Sequence, residues 1–278
     1  MRLPLIHPIF IRSPQRHDAR LGAKKEEYVN KIRTILAVAA ALASLSAASA
    51  LAAPVKNIVL VHGAFADGSG WKPVADILTK DGYKVSIVQQ PMTSLEDDVA
   101  ATKRILDRQD GPVILVGHSY GGAIITEAGN DPKVTALVYV AAFAPDAGEA
   151  LGALLQKTPS ATTGIAPSAD GFLFLDPAVY AADFAGDLPK AEAAFMALSQ
   201  MPVAGKAFGT PIDAPAWKDK PTYAIVSTQD RMISPELERS MYRRAKAHVT
   251  EVKSSHVVFL SHPRVVAKVI EEAARNAK

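Results

Sequence analysis

Residues 117–122 read Gly-His-Ser-Tyr-Gly-Gly, a G-x-S-x-G pattern that could activate a serine. The apolar run Pro112–Val116 before it predicts a strand, and residues 120–128 after it predict a helix. A serine at such a sharp turn adopts a strained backbone that exposes its hydroxyl, while the following helix N-terminus offers N–H groups to an oxyanion. The pattern predicts Ser119 as an acyl-transfer nucleophile and the Tyr120 N–H as an oxyanion donor.

A serine nucleophile needs a general base, and three histidines follow Ser119 along the chain. His256 comes directly after the last predicted strand, at the sheet edge where open α/β sheets gather their sites. His262 precedes a proline at a predicted helix start, which indicates a capping or solvated role. His248 follows a basic helix and is expected to be exposed. The predicted base is therefore His256.

The orienting acid of such a triad lies between the serine and the histidine in chain order. Asp230 ends the strand that directly precedes the one before His256, so we predict Asp230. Asp146, one strand earlier, is the alternative acid, although it also reads as a turn residue after a proline. The alternative role for Asp230 is an ion pair with Arg231.

The loop after the first predicted strand reads His62-Gly63-Ala64-Phe65. In proteins with such a G-x-S-x-G turn, a loop after an earlier strand supplies the second oxyanion donor. We assign that donor to the Ala64 N–H. His62 is predicted to bond loop backbone. Phe65 and Phe143 are predicted to contact substrate in a mostly hydrophobic pocket, although aromatic residues more often belong to the core. Cap residues suggested for the same pocket are Phe172, Phe174, Phe195 and Met196.

Strand-like and helix-like segments alternate from residue 56 to the C-terminus, and six strands are predicted. Continuous apolar strands between amphipathic helices indicate a mostly parallel sheet covered by helices on both faces. The alternation stops between about residues 145 and 215. Because a structureless loop of that length is improbable in a compact domain, this stretch is predicted to be an inserted helical cap. The predicted fold class is α/β.

The first 52 residues are predicted to be a leader and are left out of the fold. Residues 30–33 form a short basic region, 35–45 an apolar one, and 50–52 an A-x-A cleavage site, the signature of a signal peptide. Cleavage before Ala53 would give an exported, periplasmic or secreted domain of residues 53–278. Cleavage after Ala50 and an uncleaved membrane anchor are the alternatives. Residues 1–28 do not fit a signal peptide, and we hypothesise that translation starts at Val29.

The charge distribution argues against a nucleic-acid partner. The full chain has 31 basic and 28 acidic side chains, but eight basic and three acidic ones lie in residues 1–52. Residues 53–278 thus hold 23 and 25, a net charge of −2. The chain also has no cysteine, which excludes disulfides and a cysteine nucleophile.

Taken together, the motifs around Gly63, Ser119, Asp230 and His256 resemble the α/β-hydrolase superfamily over residues 56–275. The resemblance is greatest to a bacterial group related to the plant methylesterases and hydroxynitrile lyases. It implies hydrolysis of a small to medium apolar carboxylic ester through an acyl-enzyme, without metal or organic cofactor. Val257 and Gly63 stand where the lyases carry lysine and threonine, so the lyase reaction is disfavoured.

Other reactions of the same triad remain open at this stage. These are amide, lactone or C–C bond hydrolysis, and a non-catalytic ligand-binding protein of the same fold is the alternative from a different class. The oligomeric state cannot be read from the sequence.

Overall fold

A computed structural model describes residues 55–277, and the predicted leader lies outside the described residues. Nine strands occur in this part of the chain: β1 Asn57–Val61, β2 Lys84–Val88, β3 Val113–Ser119, β4 Val134–Ala142, β5 Ile165–Pro167, β6 Phe172–Leu175, β7 Val203–Ala204, β8 Thr222–Ser227 and β9 His248–Val252. Six of them form one sheet in the order β2-β1-β3-β4-β8-β9, and every neighbouring pair is parallel. The predicted α/β class and the six-stranded parallel sheet are confirmed.

The amino-acid composition of each strand explains whether it lies at the centre or at the edge of the sheet. Every residue of β1, β3 and β8 is buried, as continuous apolar strands covered on both faces require. The edge strands β2 and β9 are mostly half-buried or exposed and carry Lys84, His248 and Glu251. Charged side chains suit an edge because they discourage pairing with another chain.

Ten helices are described in the same residues: α1 Lys72–Lys80, α2 Leu95–Asp107, α3 Gly121–Ala128, α4 Leu151–Lys157, α5 Pro177–Asp183, α6 Lys190–Ser199, α7 Gly205–Gly209, α8 Pro235–Arg244, α9 Val258–Ser261 and α10 Pro263–Asn276. Local signals fix their starts. Ser94 caps α2 by accepting the Asp97 N–H at 3.1 Å, and Ser234 caps α8 in the same way. Within residues 55–277, no helix is both long and apolar enough to cross a bilayer.

The segment inserted between β4 and β8 contains helices α4 to α7, as predicted, and also a sheet that was not predicted. Strands β5, β6 and β7 pair antiparallel and are only two to four residues long. Strands this short show no period of two that sequence could reveal. Three backbone bonds tie this cap to the core loops: Ala204 N–H to Met92 O at 2.8 Å, Phe65 N–H to Met201 O at 3.1 Å and Thr162 N–H to Arg231 O at 3.0 Å.

Candidate active site

Ser119 lies at the last residue of β3, where the chain turns directly into α3. Its φ angle is +54°, a left-handed conformation that costs free energy in a residue with a side chain. Packing holds the turn in place, because a Cβ added to Gly63 would lie 2.6 Å from the Ser119 Cβ. The loop after β1 therefore lies directly against the serine. Ser119 retains 7% of its surface, so its side chain is not fully enclosed.

His256 and Asp230 form a wholly buried pair. His256 Nδ1 lies 2.6 Å from Asp230 Oδ2, and both side chains are fully enclosed. The other carboxylate oxygen, Oδ1, accepts the backbone N–H groups of Met232 at 2.7 Å and Ile233 at 3.0 Å. Three donors thus fix the orientation of Asp230 in the turn after β8.

The partners of the His256 ring determine its tautomer. An ionised carboxylate only accepts, so Nδ1 carries the proton that points to Asp230. In a neutral imidazole the lone pair is then on Nε2. Nε2 is buried and bonds to none of the described residues. The arrangement presents a nitrogen base whose other side is held by a carboxylate.

His118 connects the histidine loop to the serine turn. Its Nε2 lies 3.0 Å from the His256 backbone oxygen, and the two rings are 4.6 Å apart between centroids. Because a carbonyl only accepts, Nε2 of His118 carries the proton. His118 directly precedes Ser119 in β3, so this bond keeps the two loops together at the carboxyl end of the sheet.

The predicted oxyanion donors lie in two loops that pack together, Ala64 after β1 and Tyr120 directly after Ser119. Within the described part of the chain, neither the Ala64 nor the Tyr120 backbone N–H donates a hydrogen bond. The loop that carries Ala64 is held by Gln90, whose Nε2 donates to the His62 carbonyl at 2.7 Å. Both amides are thus unpaired among the described residues, which is compatible with the predicted oxyanion role.

Tyr120 is also anchored through its side chain. Its hydroxyl donates to Asp98 Oδ2 at 2.7 Å, and Asp98 Oδ1 accepts the Met92 N–H at 2.7 Å. Burial raises the pKa of Asp98 to about 6. The Tyr120 ring stacks on Phe208 of the cap at 5.6 Å. Asp98 therefore links the nucleophile turn to α2.

His62 and His118 stay neutral near neutral pH. Burial lowers the pKa of His62 below its ordinary value. It lowers the pKa of His118 much further, and repulsion from His256 adds to the effect. His62 Nδ1 bonds the Gly63 carbonyl at 2.9 Å, which matches the backbone role predicted for it. These two rings therefore serve as hydrogen-bonding supports.

The alternative acid and bases lie elsewhere. Asp146 pairs with Lys218 at 2.6 Å and accepts the Ala147 N–H, so it does not contact His256. His248 is exposed and stacks on Tyr223, and His262 bonds Ser261. The alternative partner for Asp230 also fails, because Arg231 Nε donates to Asp183 Oδ1 at 2.7 Å. Asp230 and His256 are the pair that the fold brings together.

The aromatic residues divide into two groups. Phe65 and Phe143 are buried, and the Phe143 N–H donates to the Ser119 carbonyl at 3.1 Å. Among the cap residues suggested for the pocket, Phe174 is 40% exposed and Phe195 68% exposed, and Phe195 and Met196 line the same surface cleft. The cap rings that reach the site are Phe184, 4.9 Å from the His256 ring, and Phe208.

Sequence reasoning missed several supporting residues. Asp98, Gln90, Phe184 and Phe208 lie far from the motifs in sequence and reach the site only through the tertiary fold. Only Asp98 carries a signal in the sequence: it is one of three acids in the first turn of α2, where acids are favoured at any helix start. Its carboxylate also bonds the phenol hydroxyl of Tyr120, which only the fold reveals.

Comparison with known proteins identifies the family of the chain. A sequence profile described as "Alpha/beta hydrolase family" matches residues 58–269. The chain therefore belongs to the alpha/beta hydrolase family, and the predicted resemblance is confirmed.

Three individual proteins show how similar the chain is to its relatives. A pyrethroid hydrolase from Sphingobium wenxiniae is 28% identical over 252 residues, which cover 79% of this chain and 88% of that protein. A carbendazim-hydrolysing esterase from Nocardioides is 37% identical over 115 residues, or 36% of this chain. That match spans about half (48%) of the esterase. Methylesterase 7 of Arabidopsis thaliana is 34% identical over 119 residues, 37% of this chain and 45% of that protein.

Solved structures show the same fold. A pyrethroid hydrolase from Sphingobium faniae superposes with a TM-score of 0.68 and 25% identity, covering 80% of this chain and 98% of that one. Tomato methylketone synthase I superposes with a TM-score of 0.70 at 18% identity, covering 81% and 99%. The latter shows the fold alone, because its identity is low.

Proposed function

We propose that this alpha/beta hydrolase cleaves carboxylic esters through an acyl-enzyme formed on Ser119. The observation that carries the proposal is the buried Asp230–His256 pair tied, through His118, to a serine in a strained turn. Its relatives include proteins named as esterases and a pyrethroid hydrolase, which supports ester hydrolysis as the reaction class.

In the proposed reaction, the Ser119 hydroxyl attacks the ester carbonyl while His256 Nε2 takes its proton. His256 then gives that proton to the leaving alcohol, and Asp230 stabilises the imidazolium between the two transfers. The Ala64 and Tyr120 N–H groups stabilise the negative carbonyl oxygen. Water then repeats both steps on the acyl-enzyme and releases the acid.

The surroundings favour a small to medium apolar ester. Phe65, Phe143, Phe184 and Phe208 are uncharged rings near the reacting groups. A cleft of about 270 Å³ also opens beside the oxyanion loop, with Ala66, Tyr180, Met196 and Phe259 in its lining. Because Ser119 does not line this cleft, the cleft lies beside the proposed reaction centre and does not contain it. Its volume is near the lower end of ligand pockets, about 300 Å³.

Replacing the serine tests the proposal. We expect Ser119→Ala to lower kcat/KM for short p-nitrophenyl esters by at least about 10⁴-fold, since members of a triad act as a unit. The variant should keep its circular dichroism spectrum and lose labelling by a fluorophosphonate probe. Ser168→Ala, which alters a serine in the turn between β5 and β6, is the matched control and should behave as wild type.

Different outcomes separate the alternatives. Labelling of Ser119 without turnover of any ester would direct the search to amides, lactones and C–C bonds. Absence of labelling in the folded wild-type protein would favour a non-catalytic binding protein. Unchanged ester hydrolysis by Ser119→Ala would contradict the assignment outright.

We also propose that the protein is exported with cleavage before Ala53. The support is the basic, apolar and small-residue succession of residues 30–52, which lie outside the described residues. Mass spectrometry of the protein isolated from its native source should find an N-terminus at Ala53. Recovery of peptides from residues 5–25 would contradict the proposed start at Val29.

A further inference from the structure

A second buried carboxyl group lies beneath Asp230. Glu238, in the first turn of α8, has no exposed surface. Its Oε2 accepts the Ser227 N–H at 3.2 Å, and the Ser227 carbonyl in turn accepts the Asp230 N–H at 3.1 Å. Glu238 therefore supports the turn that carries Asp230.

Glu238 and Asp230 both bond Ser227, the first through its carboxyl group and the second through its backbone N–H, so the two buried acids are neighbours. No N–H or hydroxyl group of the described residues donates to Glu238 Oε1, which is wholly enclosed. Two neighbouring acids in a buried site do not both ionise, because their repulsion adds to the cost of burial. One of them holds a proton, which is then available to the other.

The distribution of donors decides which group is protonated. Asp230 accepts from His256, Met232 and Ile233, whereas Glu238 accepts one backbone N–H. Donors stabilise the ionised form, so the charge belongs on Asp230 and the proton on Glu238. In agreement, burial and the adjacent Asp230 raise the pKa of Glu238 well above its ordinary value.

We propose that Glu238 is a positioning residue: a neutral carboxylic acid that donates its O–H to Asp230 and so completes the set of donors around that carboxylate. A carboxylate offers about four acceptor positions, and the three N–H donors leave one for Glu238. This inference rests on the proposed role of Asp230. The effect on the reaction is indirect, since Glu238 acts through Asp230.

Other charged groups around Glu238 do not supply an alternative partner. Arg239, the next residue of α8, is directed to Glu251, with bonds of 2.7 and 2.8 Å. The Tyr242 hydroxyl, one turn further on, bonds the backbone N–H and carbonyl of Ala142, both at 2.8 Å. Burial raises the pKa of Tyr242 well above its ordinary value, so it stays neutral.

Two variants of similar size separate hydrogen bonding from packing. Glu238→Gln keeps an acceptor for Ser227 and a donor for Asp230, so we expect kcat within about threefold of wild type. Glu238→Met keeps the length and removes both, and we expect kcat/KM to fall about 10- to 100-fold. Without the donor, negative charge concentrates on the oxygen facing His256 and favours the imidazolium. The acid limb of the kcat/KM profile should therefore move to higher pH in Glu238→Met and stay in place in Glu238→Gln.

Infrared spectroscopy tests the protonation state without using activity. At pH 8, where Asp98 is ionised, wild type should show the carbonyl band of a protonated carboxylic acid, and Glu238→Gln should lack it. If Glu238→Met does not fold, the comparison of wild type with Glu238→Gln still tests whether Glu238 is protonated. Absence of the band in wild type would overturn the inference, as would equal loss of activity in both variants with unmoved pH profiles. Because the band does not depend on turnover, it can be present even where failed fluorophosphonate labelling has refuted the proposed function.

Discussion

The two halves of the candidate site are held in place by different physical means. The nucleophile half, from β1 to the end of β4, is built largely from backbone: a left-handed Ser119, a glycine against its Cβ and two unoccupied amides. The acid–base half, from β8 to α9, is built from buried side chains: Asp230 bonds His256 directly and is linked to Glu238 through Ser227.

This difference predicts how each half can fail. Backbone positions held by close packing should be insensitive to charge and sensitive to added volume. A network of buried charges should respond in the opposite way, because losing one partner leaves another uncompensated. A substitution that removes a charge but keeps the shape therefore tests the acid–base half. A single added methyl group tests the nucleophile half.

The largest effect should come from Asp230→Asn, which keeps the shape and removes the charge. Without the carboxylate, the imidazolium loses its stabilisation and the tautomer changes, so we expect kcat to fall by about 10⁴-fold. Steady-state hydrolysis of a p-nitrophenyl ester measures it. Asp146→Asn is the matched control, since Asp146 pairs with Lys218 and should be dispensable for turnover. A large loss in the control instead would reassign the acid.

Next comes Gly122→Ala, an uncharged change in the nucleophile half. A Cβ there would lie 2.1 Å from the Phe143 backbone oxygen, so α3 and the end of β4 would have to separate. We expect a loss of unfolding free energy of about 1–3 kcal/mol or more, measured by urea denaturation. Gly209→Ala in α7 has open space around the new methyl group and should leave stability nearly unchanged. Equal stability of the two variants would show that the nucleophile half is not held by packing.

The smallest effect concerns Asp98, the exception to the comparison because it is a buried acid in the nucleophile half. Its pKa is about 6 in the folded protein and near 3.8 when exposed, so unfolding releases a proton between these values. Its contribution to stability is therefore present below about pH 4 and lost as the pH rises through 6, with a slope of at most about 1.4 kcal/mol per pH unit.

Asp98→Asn should remove this dependence. The difference in unfolding free energy between wild type and variant should shift in the variant's favour from pH 4 to pH 6 and then level off. Asp170→Asn, on an exposed turn of the cap, should give a difference that does not change with pH over that range. A constant difference for Asp98→Asn as well would mean that Asp98 does not titrate in this window.

Much of the fold could be predicted because local signals and burial pattern agreed. The run from Val134 to Ala142 predicts β4 at its observed bounds, and Pro263 marks the observed start of α10. From the sequence, the cap could be located only as an interruption of the strand–helix alternation. Its strands are too short to show the two-residue period of a β-strand. Phe174 illustrates the limit: apolar composition suggested a pocket residue, but this side chain is 40% exposed, because its direction depends on how the cap packs.

The sequence by itself determined the chemistry available to this protein. A serine between glycines after an apolar strand, and an aspartate and a histidine after later strands, are local features that a parallel sheet brings to one edge. Only the tertiary structure places Asp230 rather than Asp146 against His256, sets Asp98 under Tyr120, and brings Glu238 to the turn that carries Asp230. Those choices depend on distances between residues far apart in sequence and on which carboxyl groups are buried together, and burial is what makes their protonation states differ.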